Sequence, residues 1–329
     1  MFRSGIREAP VYAAVVHSFD APPRYDTFET PAPRGEHEIL VDVLAAGLHP
    51  RVRSGASGSH YSSDGVLPMV PGIDAVGRTT DGQLLYFVAL DDTVGTMAER
   101  AVVDRRRAAP LAPGTDPVAV AAAMNPGMSS WVALRRRIDF RPGAGVLILG
   151  ATGNAGQLAV QIAKHLGAGR VVAAGRDPER LALLPALGAD ETVSLLGEPN
   201  EVAERLAKSA ADVDVVIDYL WGGVTESVMP ALLVARADRS QALDWIEIGS
   251  MAGQDVTLPS ALLRKANLRV LGSGQGSAAT ADIVAELPAL AELITTGTLS
   301  VHPLPMSLAE VERAWGTTAG PGERIVLVP

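Results

Sequence analysis

The chain has 329 residues, of which 47% are hydrophobic and 20% charged, and it contains 33 Gly, 23 Pro and no Cys. This composition predicts a compact globular protein of about two domains at roughly 150 residues each, without disulfides, a thiolate nucleophile, an Fe–S cluster or a Cys-built zinc site. The formal net charge of −9 argues against nucleic acid and anionic membranes as partners, since both require a basic face.

The hydropathy pattern also argues against membrane insertion and export. No segment reaches the roughly 18–20 uninterrupted apolar residues that a membrane-spanning helix needs. Residues 1–10 carry charges and lack the apolar core of a secretory signal. We therefore expect a cytoplasmic protein.

The first third of the chain has the pattern of short β-strands. Val11–Val16 is an apolar run, residues 38–43 (EILVDV) are β-rich, and Pro and Gly interrupt the chain throughout residues 50–115. This spacing predicts an antiparallel, partly barrel-like unit.

From residue 117 the predicted strands alternate with helices. Asp116 and Pro117 have the residue types of a helix N-cap and first helical position. Strands are predicted at 146–149, 171–174, 192–195, 213–219, 245–249 and 268–271, and helices at 155–167, 177–188, 199–210, 223–235 and 280–297. Six strands with crossover helices predict an α/β fold with a doubly wound parallel sheet.

The domain organisation is predicted to be discontinuous. The last strand, Arg324–Val328, is expected to return to the first domain. Residues 1–116 would then form the first part of one domain, residues 117–290 the domain with the doubly wound sheet, and residues 291–329 the return to the first.

The clearest motif is the loop of residues 150–156, Gly-Ala-Thr-Gly-Asn-Ala-Gly, which follows an apolar strand and opens a helix. Free N–H groups and the positive end of the helix dipole favour an anion there. Glycine lets a pyrophosphate approach the main chain and lets the helix pack on the strand. The predicted contacts are Thr152, Gly153, Asn154, Ala155 and Gly156.

The choice of dinucleotide depends on the end of the second strand, where Gly175, Arg176 and Asp177 follow one another. A carboxylate there favours NAD, and an arginine favours the 2′-phosphate of NADP. Asp177 precedes Pro178 and fits a helix N-cap, whereas Arg176 has no such local role and Arg180 lies one turn on. We therefore expect NADP(H) on Gly175, Arg176 and Arg180.

Taken together, the motifs resemble those of the medium-chain dehydrogenase/reductase superfamily, specifically its zinc-free quinone oxidoreductase-like branch. The resemblance spans nearly the whole chain and implies a GroES-like, mostly-β catalytic domain around a Rossmann domain with six parallel strands, and a homodimer. The residues that carry it are His49-Pro50, Arg53–Gly55, Val70–Gly77, Gly95–Glu99, Asn125–Trp131, the loop at 150–156 and Leu187–Asp190.

The same comparison implies that no catalytic zinc is bound. Zinc-dependent alcohol dehydrogenases of the superfamily place Gly-His-Glu where this chain has Gly72-Ile73-Asp74. The six histidines show no helical i, i+4 pair, and there is no Cys to complete a site. Substrate activation is therefore expected to come from hydrogen bonds and placement.

Further cofactor contacts are implied by position in the family and in the sheet. Ser129 matches a hydroxyl position near the nicotinamide or phosphate, although a serine inside a helix also bonds back to the main chain. Arg324 resembles a basic position that touches the cofactor. The ends of strands four to six add Tyr219, Gly249, Ser250, Ser273 and Gly274, whose glycines are also compatible with plain turns.

The proton donor is less clearly indicated. Relatives often carry Asn where this chain has His49, so no substrate contact can be copied at that position. The candidate catalytic residues are His49, Tyr61 and Tyr219, with His60 and bulk water as alternatives. A histidine can donate near neutral pH, and a tyrosine can do so if its pKa is lowered.

These observations predict an NADPH-dependent oxidoreductase that transfers hydride to an activated C=C bond of an enone, enal or quinone without a metal. A metal-free ketone or aldehyde reductase on the same fold is the alternative. A non-catalytic NADPH-binding protein is a third, since fold alone does not establish turnover.

Overall fold

A computed structural model describes residues 9–59, 63, 65–91 and 93–329. The strands are β1 (Val11–Val15), β2 (Arg24–Phe28), β3 (Glu38–Gly47), β4 (Asp74–Arg78), β5 (Leu84–Val88), β6 (Arg100–Asp104), β7 (Ala108–Pro110), β8 (Gly145–Leu149), β9 (Arg170–Gly175), β10 (Glu191–Ser194), β11 (Val215–Asp218), β12 (Leu243–Glu247), β13 (Leu268–Gly272), β14 (His302–Ser307) and β15 (Glu323–Val328). The helices are α1 (Pro50–Ala56), α2 (Pro117–Val132), α3 (Asn154–His165), α4 (Pro178–Leu181), α5 (Pro199–Ala210), α6 (Gly222–Ala235), α7 (Ser260–Lys265), α8 (Thr280–Thr295) and α9 (Val311–Gly316).

The chain divides into two compact units. One comprises Met1–Asn125 with Val284–Pro329, and the other comprises Pro126–Ile283. The chain crosses between them inside α2 and inside α8, whereas the sequence placed the divisions after residues 116 and 290. Asp116 caps α2 by accepting from the Val118 N–H at 2.9 Å, as its position before Pro117 predicts.

The first unit is built on a mixed, mostly antiparallel sheet in the order β14-β15-β3-β4-β5-β7, with β6 paired to β3 and a separate β1–β2 hairpin. Alternate residues of these strands point into one apolar core, in which Phe87, Met97 and Val103 are fully buried. The final strand β15 pairs antiparallel with β3 of this unit.

The second unit contains the predicted doubly wound sheet. Its six strands are all parallel, in the order β10-β9-β8-β11-β12-β13. The strand order reverses between β8 and β11, which is the point where open α/β sheets bind ligands at the carboxyl ends of their strands. The continuous apolar run of β8 is fully buried at Val146, Leu147, Ile148 and Leu149, as a central parallel strand requires.

One predicted element needs correction, and strand β14 was missed. The helix expected over residues 177–188 is only the single turn α4, followed by a 3₁₀ turn at Leu184–Leu187. Pro185 has no N–H with which to continue α-helical bonding to Leu181. Strand β14 was not predicted, because Pro303 and Pro305 are uncommon in strands.

Within the described part of the chain, no helix is both long and apolar enough to span a bilayer.

Candidate functional site

The loop after β8 has the geometry of an anion-binding turn. Gly153 is the N-cap of α3, and it has no side chain to satisfy the first N–H groups of that helix. The turn therefore presents N–H groups and the positive end of the helix dipole at the carboxyl edge of the sheet. All five predicted phosphate contacts, Thr152 to Gly156, lie in this turn and the first residues of α3.

Two glycines are required here by close approach. A Cβ on Gly156 would lie 2.5 Å from Cα of Ala151 and would overlap the carbonyl oxygen of Gly150. A Cβ on Gly175 would lie 2.7 Å from Oγ1 of Thr152. Helix α3 and the end of β9 thus pack directly against the loop, which is the role that dinucleotide-binding folds give such glycines.

The two charges after β9 have different roles. Asp177 caps α4 by accepting from the Arg180 N–H at 3.1 Å, and its Oδ2 lies 3.3 Å from Arg180 Nε. Arg176 is exposed and forms no hydrogen bond or ion pair with any residue that the structure describes. Its guanidinium is therefore available to an anionic ligand, whereas the Asp177 carboxylate is engaged.

Ser129 and Tyr219 form a hydroxyl pair. Ser129 Oγ lies 2.9 Å from the Tyr219 hydroxyl and donates to the carbonyl oxygen of Pro126 at 2.7 Å. Burial raises the pKa of Tyr219 to about 12, against the lowering effect of its hydrogen bonds to Ser129 and Ser130. Because a tyrosine donates a proton near neutral pH only when its pKa is lowered, this rise does not favour Tyr219 as the proton donor.

The strand end that carries Tyr219 is held by the buried carboxylate of Asp218. Its Oδ1 accepts from the N–H groups of Leu220 and Trp221 at 2.8 and 2.9 Å. Its Oδ2 accepts from Trp245 Nε1 at 2.9 Å and from the Thr225 hydroxyl. These bonds maintain Trp221 at a φ of 52°, a conformation that a side-chain-bearing residue rarely adopts.

A cavity of about 370 Å³ lies at the ends of β12 and β13. Burial raises the pKa of Glu247 in its wall, and the charge of Asp218 adds to this rise. Gly249, two residues after β12, packs closely against the main chain of Tyr219, because a Cβ at this position would lie 3.2 Å from the carbonyl oxygen of Tyr219. The cavity is lined by Trp221, Glu247, Ser250, Gln254, Val270, Leu271 and Gly272.

The turn after β13 is held by Arg137. Its Nε donates to the Gly272 carbonyl at 3.1 Å, and its Nη1 donates to the Ser277 carbonyl at 2.6 Å. Ser277 Oγ accepts from the Gly274 N–H at 2.8 Å. The predicted contacts Ser273, which is buried, and Gly274 therefore lie in an ordered turn.

The first unit contains a buried polar cluster at the start of β4. The carboxylate of Asp74 is fully buried, and its Oδ1 lies 3.0 Å from His49 Nε2. The Tyr86 hydroxyl donates to the other oxygen, Oδ2, at 3.0 Å, and burial raises the pKa of Tyr86 well above its ordinary value. Thr96 Oγ1 donates to the main-chain oxygen of Asp74 at 3.0 Å. His49 is thus oriented by a carboxylate that is itself fixed in place.

Arg324 lies on β15 in the same unit and is 9% exposed. Its Nε and Nη1 are buried without a hydrogen-bond partner among the described residues. Burial lowers the pKa of this guanidinium, and the negative charge of Asp74 opposes that effect. A buried guanidinium with unused donors is suited to an anionic ligand.

The remaining predicted residue, Tyr61, lies outside the described residues, as does its alternative His60. Among the residues that are described, no three His, Asp or Glu side chains converge as a possible metal site.

Comparison with known proteins places the chain in a family. The family described as zinc-binding dehydrogenase matches residues 155–295. This chain is 30% identical to the probable NADPH-dependent quinone reductase tdiC of Emericella nidulans, over 97% of this chain and 100% of that one. It is 28% identical to the chloroplastic NADPH-dependent alkenal/one oxidoreductase of Arabidopsis thaliana, over 50% of this chain and 46% of that one.

A solved structure supports the same assignment. The quinone oxidoreductase from Thermus thermophilus, solved also in complex with NADPH, superposes with a TM-score of 0.71 at 27% identity, covering 98% of this chain and 100% of that one. The fold is a GroES-like unit with a Rossmann-type nucleotide-binding unit. The chain belongs to the medium-chain dehydrogenase/reductase superfamily, in its quinone oxidoreductase-like branch. The predicted resemblance is thereby confirmed.

Three residues that organise these regions were not predicted from the sequence: Asp74, Asp218 and Arg137. For the two aspartates a signal was present, because each is a charge in or at the end of an apolar run that forms a buried strand. Arg137 gave no such signal, since it stands in the run Arg135–Arg137 and only the fold shows which arginine reaches the turn after β13.

Proposed function

We propose that the protein is an NADPH-dependent oxidoreductase that reduces an activated C=C bond in an enone, enal or quinone. Family membership supports this, as do the names of two relatives, a quinone reductase and an alkenal/one oxidoreductase. Two anion-binding features carry the proposal: the uncapped start of α3 matches the pyrophosphate of NADPH, and the free guanidinium of Arg176 matches its 2′-phosphate.

NADPH, when bound, supplies the hydride for the electron-poor carbon of the substrate. The residues of this chain bind and orient it. Residues 152–156 hold the pyrophosphate, Gly175 lets the loop approach β9, and Arg176 with Arg180 holds the 2′-phosphate. The hydroxyl pair Ser129–Tyr219 and the polar groups after β12 and β13 (Gly249, Ser250, Ser273 and Gly274) serve the remainder of the cofactor, with Arg324 as a further phosphate contact.

His49 is the proton donor in this proposal. Among the candidates in the described residues, Tyr219 has a raised pKa and is poorly suited to donate, whereas an imidazole donates near neutral pH. His49 takes the place of the Asn common in relatives, so this chain carries a titratable group where they carry a neutral amide. Tyr61 stays a prediction.

We also propose that the reaction is independent of zinc. The chain has no Cys, and Ile73 occupies the position of the histidine ligand of the zinc-dependent relatives. Carbonyl polarisation then falls to hydrogen-bond donors of the protein.

The assembly we propose is a homodimer formed at the β13 edge of the parallel sheet. Among the residues that the structure describes, β13 pairs in this sheet with β12 alone. Leu263 and Met251 nearby in the chain are 50% and 74% exposed. An open strand edge with exposed apolar side chains favours burial by a second copy across a two-fold axis.

The cytoplasmic location predicted from the sequence stays a prediction.

The proposal is tested by cofactor titration followed by a substrate panel. Fluorescence titration should give tighter binding of NADPH than of NADH. The NADPH-loaded enzyme is then given enones, enals, quinones, ketones and aldehydes, and the products are identified by mass spectrometry and NMR. Saturation of the C=C bond of enones or enals with the carbonyl retained, or formation of the hydroquinone from a quinone, supports the proposal.

The other outcomes identify the alternatives. Alcohol formation from simple ketones or aldehydes, with enones untouched, would show a carbonyl reductase. Tight NADPH binding without turnover of any compound would show a non-catalytic binding protein. Either result overturns the proposed reaction.

A further inference from the structure

We infer that Asp74 is the positioning residue for the proton donor, and that it fixes His49 with Nε2 protonated so that Nδ1 is the nitrogen that gives up the proton. This inference rests on the proposed role of His49. It adds a residue that neither the motif analysis nor the comparisons assign to the reaction.

The hydrogen-bond inventory of the cluster determines the tautomer. A carboxylate is an acceptor only, so the 3.0 Å contact between Asp74 Oδ1 and His49 Nε2 requires a proton on Nε2. The second oxygen of Asp74 is already bonded to the Tyr86 hydroxyl at 3.0 Å. Nδ1 forms no hydrogen bond to any residue that the structure describes. It is therefore the ring nitrogen that can exchange a proton with a ligand.

The backbone keeps this geometry fixed. His49 is the N-cap of α1, and its carbonyl oxygen accepts from the N–H groups of Val52 and Arg53. A Cβ on the neighbouring Gly47 would overlap the carbonyl oxygen of Ala121, so the chain before His49 is closely packed. Asp74 is held by Thr96 through its main-chain oxygen. These contacts fix the main chain that carries both partners of the His49–Asp74 contact.

Charged and polar groups from three strands, β4, β5 and β15, face the pair. The groups that face it are the Asp74 carboxylate, the Tyr86 phenol and the Arg324 guanidinium, whose charge interacts with Asp74. Arg53, on α1 itself, is engaged by the carbonyl oxygens of Trp315 and Ala314. With Asp74 negative and Arg324 positive, the cluster is neutral when His49 is neutral and carries one excess positive charge when His49 is protonated. Asp74 therefore attracts the charge of a protonated His49, and Arg324 repels it.

The chemical step balances in this arrangement. The substrate that has accepted a hydride lacks one proton. The N–H bond at Nδ1 of the imidazolium breaks, its electron pair stays on the ring, and the proton forms the new bond to the substrate carbon or oxygen. His49 is left neutral with Nε2–H bonded to Asp74, and solvent restores the proton at Nδ1.

Two variants of the pair's surroundings give shifts of opposite sign. Asp74→Asn removes the charge that stabilises the imidazolium, so the pH midpoint above which kcat falls should move down by about 1–3 units. Tyr86→Phe removes a donor from Asp74 and leaves more of its charge to His49, so the midpoint should move up by roughly half a unit. A merely structural role would produce no such pair of opposite shifts.

The control is Asp104→Asn. Asp104 is also a buried carboxylate of the first unit, bonded to Arg106. Its substitution lowers stability without moving the midpoint. If Asp74→Asn does not fold, the upward shift in Tyr86→Phe tests the inference alone.

A second readout needs no turnover. In protein labelled with nitrogen-15 at its six histidines, His49→Gln identifies the His49 ring signals. The neutral ring should be the Nε2–H tautomer in the wild type, and this preference should be lost in Asp74→Asn. An Nδ1–H tautomer in the wild type, or a His49 titration unchanged in both variants, overturns the role of Asp74.

The two proposals fail in different ways. If the pH profile of kcat in His49→Gln is the same as in the wild type, His49 is not the proton donor, and this inference fails with it. Loss of turnover in His49→Gln, together with an unmoved midpoint in Asp74→Asn and Tyr86→Phe, leaves the donor in place and removes only the positioning role.

Discussion

The hydroxyls of Ser129 and Tyr219 lie 2.9 Å apart, although the residues are ninety positions apart in the chain. One belongs to α2 and the other follows β11, next to the point where the strand order of the parallel sheet reverses. Their contact places two hydroxyl groups at the position where a dinucleotide fold receives its ligand. It also explains why a tyrosine with a strongly raised pKa is maintained there, since Ser129 is its polar partner in a buried environment.

Ionisation of the Tyr219 phenol in the folded protein is expected only near pH 12, and the free energy of unfolding therefore decreases at alkaline pH. The folded-state pKa is raised from about 10 to about 12. The corresponding stability is therefore fully present below pH 10 and is lost as the pH rises from 10 to 12. Tyr219→Phe should remove one late-ionising phenol from the ultraviolet titration and reduce the alkaline loss of stability.

Ser129→Ala is the matched variant for this titration. It removes a hydrogen bond that lowers the pKa of Tyr219, so ionisation should shift further upward. Neither variant should move the pH midpoint of kcat near neutrality. A Tyr219 that ionises at pH 10, or a neutral midpoint that moves in Tyr219→Phe, would show that this phenol takes part in proton transfer.

Arg176→Ala should reduce the preference for NADPH over NADH by about 10- to 100-fold, because charge-assisted hydrogen bonds to a phosphate contribute roughly 1.5–3 kcal/mol. The affinity for NADH should stay within a few-fold of the wild type, since NADH has no 2′-phosphate. Calorimetric titration with both nucleotides gives the ratio.

Arg141→Ala controls for the loss of a surface charge in the same unit, because Arg141 is 81% exposed and paired only with Asp139 among the described residues. Its NADPH preference should equal that of the wild type. Equal ratios in both variants would mean that the 2′-phosphate is recognised elsewhere.

Gly156→Ala should abolish dinucleotide binding and destabilise the protein by about 1–3 kcal/mol, the usual cost of forcing a methyl group into a packed interior. The new Cβ would lie 2.5 Å from Cα of Ala151 and would push α3 off the loop. Gly223→Ala is the control, since nothing lies within 4 Å of its Cβ position on α6. Denaturant unfolding and NADPH titration measure both effects, and unimpaired NADPH binding by Gly156→Ala would contradict the assigned role of the loop.

The nucleotide-binding unit could be predicted closely because its signals are local. A buried parallel strand is a continuous apolar run, as in β8, and the adjacent glycines mark the turn to α3. The single helix expected at 177–188 was wrong because one proline, Pro185, stops α-helical bonding without changing the apolar spacing. Strand β14 was missed for a related reason. Pro303 and Pro305 are tolerated only because this strand lies at the edge of its sheet.

In the candidate site, too, residues with local sequence signals could be predicted and residues joined by long-range contacts could not. Thr152 to Gly156 and Arg176 were predicted from neighbours within a few residues of each other. The cluster around His49 was not predicted, because its partners Asp74 and Tyr86 are 25 and 37 positions away and come together only through the pairing of β4 with β5. The sequence alone therefore does not show that the Asp74 carboxylate is the hydrogen-bond partner of His49.

The proposed homodimer predicts that a charge at the β13 edge separates the subunits. Leu263→Glu and Met251→Glu each place a carboxylate on an exposed apolar position, the first on α7 before β13 and the second after β12. Burying a carboxylate in an apolar interface without a partner is costly, so dissociation should shift to higher protein concentration. Sedimentation velocity over a concentration series measures this shift.

Leu196→Glu is the matched control for these charges. Leu196 is 54% exposed and follows β10, at the opposite edge of the same sheet. It should therefore leave the dimer intact. A wild-type protein that sediments as a monomer at every concentration would rule out the dimer. A dimer disrupted only by Leu196→Glu would place the interface away from the β13 edge. Because a two-fold contact buries the same residue on both subunits, each substitution acts twice, and even one altered position should produce a clear change in mass.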